Sequence, residues 1–106
     1  MKVVYCTVPL ESAKTLAFTL VEARVAACVN VVPQVLSVYR WKDAIEEDEE
    51  ALLIIKTSDE RLADLAATIS SAHPYDVPEI VALDVGFAHA PYASWVRSNT
   101  TPHSTD

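Results

Sequence analysis

The pattern of apolar and polar positions near the start of the chain predicts a strand followed by a helix. Residues 3–8 form a short run rich in β-branched side chains that stops at Pro9, as a buried strand does. A helix follows, and its predicted apolar face comprises Ala13, Leu16, Ala17, Leu20 and Val21, which recur at helical spacing. Ser12 or a close neighbour is placed to cap the start of this helix.

A change of period after the first helix predicts a long hairpin. The segment from Cys28 to Trp41 reads as a strand bent at Pro33, because proline cannot donate to a sheet ladder and occurs at edges and bulges. The apolar run 51–56 predicts the partner strand, with Asp43 in the turn. One face of the first strand is predicted to carry Val29, Val31, Val35, Tyr39 and Trp41. The other is predicted to carry Asn30, Val32, Gln34, Leu36, Val38 and Arg40.

The last third of the chain predicts a helix, a strand and a short terminal helix. Ser58 is placed to cap the second helix, which must end by His73 because Pro74 follows it. Residues 79–85 predict a buried strand, and residues 91–99 predict a short helix. The apolar face of the second helix is predicted to comprise Leu62, Leu65, Ala66 and Ile69.

The order of these elements is the split β-α-β plan of a ferredoxin-like α+β fold. Its β-α-β-β-α-β sequence places two helices on one face of an antiparallel sheet, here with a long protruding hairpin and a short C-terminal helix. A single domain over residues 1–99 is expected, followed by a polar tail over 100–106 that is frayed. Two helices cover one face only, while the hairpin is apolar on both sides, so we expect an oligomer to bury the second face.

Composition and charge exclude several classes of function. The 106 residues contain one glycine, Gly86, so neither a P-loop nor a dinucleotide-binding glycine loop is present. The net charge of −7 argues against nucleic acid as a partner. Apolar runs are too short to cross a membrane, and Pro9 interrupts the start too early for a signal peptide. Two cysteines without a C-x-x-C pair complete the expectation of a cytoplasmic protein.

Two segments could carry chemistry. His73 lies in the proline-stiffened segment 72–79, and with Glu79 it could bind a metal or move a proton; it could equally cap a helix end while Glu79 forms an ion pair. Cys6 could join an imidazole around a soft metal, or be a core residue. The acidic run 46–50 could bind a hard cation or form a solvated hairpin tip.

Enzymatic readings find little support. A Cys–His nucleophile would need an activating base and an oxyanion hole, and a single glycine disfavours a tight nucleophile turn. Acylphosphatase-like hydrolysis on the same fold would need an arginine in a phosphate loop after the first strand. Here Pro9 follows that strand and no arginine precedes Arg24. We therefore expect no catalytic activity.

Several segments taken together resemble the CutA divalent-cation tolerance family, over about residues 3–95. The segments that carry the resemblance are 5–7, 28–33, 37–41, 54–57, 73–75, Pro78 with Glu79, and Tyr92 with Ser94 and Trp95. The motifs are short, and their combination in this order is specific. The family's glycine in the hairpin turn is replaced by Asp43.

The resemblance implies a homotrimer of ferredoxin-like subunits that binds copper or other divalent cations. The metal positions fall on Cys6 and His73, while Ala72 stands where some members have a second histidine. The implied cleft between subunits is lined by Tyr75, Glu79, Trp41 and Lys56. The implied trimer interface includes Val35, Val38, Tyr39 and Trp95.

The function expected from this resemblance is tolerance of divalent metals, chiefly Cu(II), through binding. The alternative is a signalling or scaffold trimer, similar to PII proteins, that binds a small molecule or a partner protein between subunits. Stabilisation by a metabolite but not by a metal would favour that alternative.

Overall fold

A computed structural model describes residues 1–102, and it confirms the predicted order of elements. The strands are β1 (Lys2–Val8), β2 (Cys28–Trp41), β3 (Ala44–Thr57) and β4 (Val81–Asp84). The helices are α1 (Ala13–Glu22), α2 (Leu62–Ala72) and α3 (Ala90–Asn99). Of the predicted tail, residues 103–106, with His103 among them, lie outside the described part of the chain.

The four strands form one antiparallel sheet in the order β2-β3-β1-β4. In the register of the central pair, Cys6 lies opposite Leu53 and Val4 opposite Ile55. On β2, Val29 also lies opposite Ile55, so these side chains share one face of the sheet. Residues 1–102 thus form an α+β architecture, with three α-helices beside this sheet.

One face of this sheet carries the core, because both long helices pack on it. The apolar stripes of α1 and α2 bury Leu20 and Leu65 against Leu53 and Ile55 of β3. Each fully buried side chain of this size contributes about 1.5–3 kcal/mol to the free energy of unfolding. The helix faces predicted from the sequence are thus largely the ones that the core uses, except that Val21 of α1 is exposed.

Neither α1 nor α2 covers the opposite face of the sheet, which we call the open face. Tyr5 and Ile54 lie side by side at its centre, and Leu83 of β4 lies opposite Val3 of β1. Tyr5, Val81 and Leu83 remain exposed in the single chain. The prediction of β4 as a buried strand is therefore wrong for residues 1–102, because all four of its residues are exposed at the edge of the sheet.

A β-bulge at Pro33 corrects the predicted assignment of faces in β2. Val32 lies opposite Leu52, but Val35 lies opposite Glu50, so β2 has one residue more than β3 in this interval. Because side chains alternate with a period of two, the extra residue exchanges the faces. Beyond the bulge the side chains that share the open face are Val35, Ser37, Tyr39 and Trp41. Those that share the helix-side face are Leu36, Val38 and Arg40.

The hairpin beyond the bulge, residues 35–50, projects as a two-stranded arm, because β1 pairs with β3 only from Ala51 onward. The longest dimension of the molecule is 49 Å, which matches the length of a 14-residue strand at about 3.3 Å per residue. The acidic run 46–50 belongs to strand β3 and not to the turn; residues 46–49 are solvated as predicted, whereas Glu50 is buried. The turn is Lys42–Asp43, where both residues have positive φ as a type I′ turn requires.

Ser12 and Ser58 occupy N-cap positions as predicted, but their side chains do not cap. Short 3₁₀ turns precede both helices, and neither Ser12 nor Ser58 makes a side-chain capping bond. Instead, the Ser58 hydroxyl accepts a hydrogen bond of 2.9 Å from the hydroxyl of Thr100. Thr100 is buried, although the sequence assigned it to the frayed tail, because this contact and the main chain of α3 satisfy its hydroxyl.

Candidate cation-binding cleft

The open face ends in a cleft of about 630 Å³ between the arm and the loop that joins α2 to β4. The arm supplies Tyr39 and Trp41, which the bulge in β2 turns toward this side of the sheet, and Glu50 of β3, which lies opposite Val35. The loop supplies Tyr75, Asp76 and Glu79, whose backbone is restricted by two prolines. The cleft thus combines three aromatic rings with three carboxylates.

Glu50 is the best-fixed carboxylate of the cleft. Its residue is only 6% exposed, and its Oε2 accepts a hydrogen bond of 2.8 Å from the Tyr75 hydroxyl. Burial, together with this hydrogen bond, raises the pKa of Tyr75 to about 12. The hydroxyl therefore stays protonated at neutral pH and acts as a donor to Glu50.

His73 lies behind the cleft wall and not in the lining. Its Nε2 donates to the Thr7 carbonyl oxygen at 2.9 Å, and its Nδ1 accepts from the Tyr75 backbone N–H at 3.1 Å. The imidazole also packs against the Tyr75 ring, with centroids 4.7 Å apart. Both nitrogens are therefore occupied, and a metal could bind His73 only by displacing one of these bonds.

Cys6 lies on the opposite side of the sheet from the cleft. Its side chain is 0% exposed and belongs to the core beneath the helices. Burial, with smaller contributions from the charges of Glu79 and Glu50, raises the pKa of its thiol to about 12. The thiolate that a soft metal requires is thus disfavoured at neutral pH.

A Cys6→Ala variant will show a shallower loss of stability in alkaline solution than the unmodified chain. Between pH 9 and 12 the unfolded thiol loses its proton while the native thiol keeps it, so stability falls as pH rises through this window. The difference in slope is at most about 1.4 kcal/mol per pH unit. Urea unfolding at several pH values measures it, with Cys28→Ser as the control for loss of a thiol; equal slopes for Cys6→Ala and the unmodified chain would contradict the assignment.

The remaining predicted site residues are distributed over the open face and the terminal helix. Lys56 does not line the cleft; it lies toward the other end of β3, where its ammonium group donates to the Asn30 side chain. Trp95 is on α3, exposed, and stacks on Tyr92 with ring centroids 5.6 Å apart. Trp41, Tyr75 and Glu79 do come together in the cleft.

Sequence reasoning did not single out Glu50 or Asp76. Glu50 was hidden in the acidic run, directly before the apolar run that begins at Ala51. Its burial follows from its place beside the end of β1, which the pairing of the strands shows and the sequence does not. Asp76 had only its place in the proline-stiffened loop.

The single chain does not assemble a complete metal site in its described part. Among residues 1–102, no three His, Cys, Asp or Glu side chains are grouped closely enough to hold an ion. In the same range, every helix is too short or too polar to cross a lipid bilayer.

The fold and the cleft define a ferredoxin-like α+β subunit with a projecting hairpin and an acidic, aromatic cleft. The sequence model described as CutA1 divalent ion tolerance protein matches residues 2–99. The chain is 47% identical over 100 residues to the "Divalent-cation tolerance protein CutA" of Thermus thermophilus, which spans 93% of this chain and 97% of that protein. The chain belongs to the CutA family of divalent-cation tolerance proteins, as the resemblance of its motifs predicted.

Two further relatives show the range of this likeness. "Protein CutA" of Homo sapiens is 46% identical over 97 residues, which are 91% of this chain but 54% of the human protein. The solved structure of the "PII-like protein CutA" from Nostoc sp. PCC 7120 superimposes with a TM-score of 0.92 at 31% identity, over 97% of this chain and all of that one.

Proposed function

We propose that this protein is a homotrimer that binds divalent cations through the carboxylates of its cleft. The observation that carries the proposal is that Glu50, Asp76 and Glu79 line one cleft beside an uncovered sheet face. They are not grouped as a complete ligand set within residues 1–102, so the proposal requires further ligands from a neighbouring subunit. The names of its relatives refer to tolerance of divalent cations, which supports the same ligand class. A cytoplasmic location and the absence of catalysis belong to the proposal.

Assembly is supported by the open face and the arm. The open face presents Tyr5, Val81 and Leu83 to solvent, and the arm exposes Leu36 and Val38. Apolar surface of this extent is typical of an interface. We propose that the interface also includes Val35, Tyr39 and Trp95, and that a neighbouring subunit closes the cleft.

The carboxylates are better placed than the sulfur–imidazole pair to reach a cation. Carboxylate oxygens suit hard cations and also bind Cu(II), which leads the affinity order of divalent ions for a given set of ligands. Cys6 faces the core, and both nitrogens of His73 are already bonded. We therefore give Glu79 a direct role and His73 a positioning role, in which it holds the loop that carries Tyr75.

Calorimetric titration of Cu(II) and Mn(II) will separate the two sets of ligands. Glu79→Gln is expected to weaken binding tenfold or more, while Cys6→Ser leaves it unchanged and His73→Ala lowers it less. Glu47→Gln is the matched control, because Glu47 lies on the other face of the same arm. If Cys6→Ser loses binding while Glu79→Gln retains it, the metal ligands are the sulfur–imidazole pair and not the carboxylates. Equal affinity in all variants would exclude both sets of ligands.

A second candidate function is a PII-like trimer that binds a small molecule. It is favoured by the aromatic rings of Tyr39, Trp41 and Tyr75, which a small hydrated metal ion does not need. The word "PII-like" in the name of the Nostoc relative accords with it. Thermal-shift screening after chelation of metals tests it, since stabilisation by a metabolite and not by a metal would favour this candidate.

A further inference from the structure

The cleft is lined by acidic side chains and by aromatic rings. Its charged side chains are the carboxylates of Glu50, Asp76 and Glu79, and within residues 1–102 neither Lys, Arg nor His contributes to the lining. Such a cleft repels phosphates and carboxylates and attracts cations. A nucleotide is therefore disfavoured as its ligand.

The buried carboxylate of Glu50 requires compensation that the described chain does not supply. Glu50 is 6% exposed and accepts one neutral hydrogen bond from Tyr75, and no cationic group among residues 1–102 forms an ion pair with it. Burying a carboxylate is costly unless a positive charge comes close to it. A cation entering the cleft would provide that charge.

The aromatic rings indicate what kind of cation fits. The faces of indole and phenol rings attract ammonium groups, and they also shield apolar carbon from water. A small hydrated metal ion has no apolar carbon and gains little from this shielding. The protein itself provides one example at the edge of the cleft. The Lys42 ammonium group stands over the Trp41 ring, with its nitrogen 5.9 Å from the ring centroid.

We propose that the cleft binds an organic ammonium ion, with its positive group near Glu50 and Glu79 and its apolar part against Trp41. This inference rests on the proposed role of the cleft as the ligand site and names a ligand class for it. The ligand volume is bounded by a cleft of about 630 Å³, large enough for a ligand of small-molecule size. Lys42 would then compete with the ligand for the face of Trp41.

Benzyltrimethylammonium is the probe, with benzyl alcohol as the neutral control and phenyl phosphate as the anionic control. The chain has two tryptophans, so a Trp95→Phe background assigns the fluorescence change to Trp41. The ammonium probe is expected to bind at least tenfold more tightly than either control. Glu79→Gln should lower its affinity about tenfold, and Lys42→Asn should raise it two- to threefold. Trp41→Leu should also lower it about tenfold, measured by calorimetry because this variant lacks the reporting tryptophan. Glu47→Gln should leave it unchanged.

Metal titrations of the same samples separate this inference from the proposed function. If Cu(II) binds through Glu79 but benzyltrimethylammonium does not bind, the inference is overturned and the proposed function stands. Phenyl phosphate binding as tightly as the ammonium probe would also overturn it. If neither Cu(II) nor benzyltrimethylammonium binds, the proposed function and this inference are both wrong. Because Glu50 is buried and its substitution could unfold the chain, the test relies on Glu79 and Trp41, which are exposed.

Discussion

An Ile54→Glu variant is expected to scatter light as a single 11.6 kDa chain, while the unmodified protein scatters at three times that mass. Ile54 lies at the centre of the open face, between Tyr5 on β1 and Asn30 on β2. A carboxylate buried there without a partner costs about 3–5 kcal/mol, and a symmetric trimer would incur that cost three times. The isolated chain should still fold, because this side chain does not face its core.

Phe18→Glu is the matched control, since Phe18 is exposed on α1 and away from the open face. It should leave the mass unchanged. Circular dichroism of both variants checks that the fold is retained. If the unmodified protein is monomeric at all accessible concentrations, the proposed trimer is wrong, and so is the proposal that a neighbouring subunit closes the cleft. A trimeric Ile54→Glu protein would show that another surface forms the interface.

A Leu53→Ala variant is expected to lose about 2–5 kcal/mol of the free energy of unfolding. Leu53 is fully buried, lies opposite Cys6 and Val31, and contacts the core beneath both helices. A loss of this size is a large part of the 5–15 kcal/mol typical of a domain, so part of the chains could unfold at 37 °C. Urea unfolding at fixed protein concentration measures it, because oligomers gain stability with concentration.

Leu10→Ala removes the same atoms from an exposed position and is expected to cost under about 0.5 kcal/mol. A similar loss in both variants would mean that β3 does not form the centre of the core. An unchanged denaturant slope would show that Leu53→Ala alters stability without altering the extent of surface exposed on unfolding.

The local patterns that predict the fold act within a few residues of one another. The apolar face of α2, the end of that helix at His73 before Pro74, and the bend at Pro33 all follow from such short-range rules. The faces of the arm could not be predicted in the same way. They depend on whether the bend at Pro33 adds one residue to the ladder, which only the pairing of Val35 with Glu50 decides.

The sequence predicted which segment of the chain contributes to the site, but not how the side chains of the site are arranged in space. The proline-stiffened loop suggested Tyr75 and Glu79, and both line the cleft. The surroundings of Cys6 and His73 could not be predicted from the sequence. The Cys6 side chain faces the core, and both ring nitrogens of His73 bond to the backbone. Such outcomes depend on contacts between residues that are far apart in sequence.

The bulge at Pro33 also limits how the arm can change in length during evolution or engineering. Between the bulge and the Lys42–Asp43 turn, each strand places alternate side chains toward the cleft. Adding one residue to each strand there would exchange the faces of every side chain beyond the insertion. Arm lengths compatible with the same cleft therefore differ by two residues per strand, a parity rule that sequence comparisons of long hairpins can use.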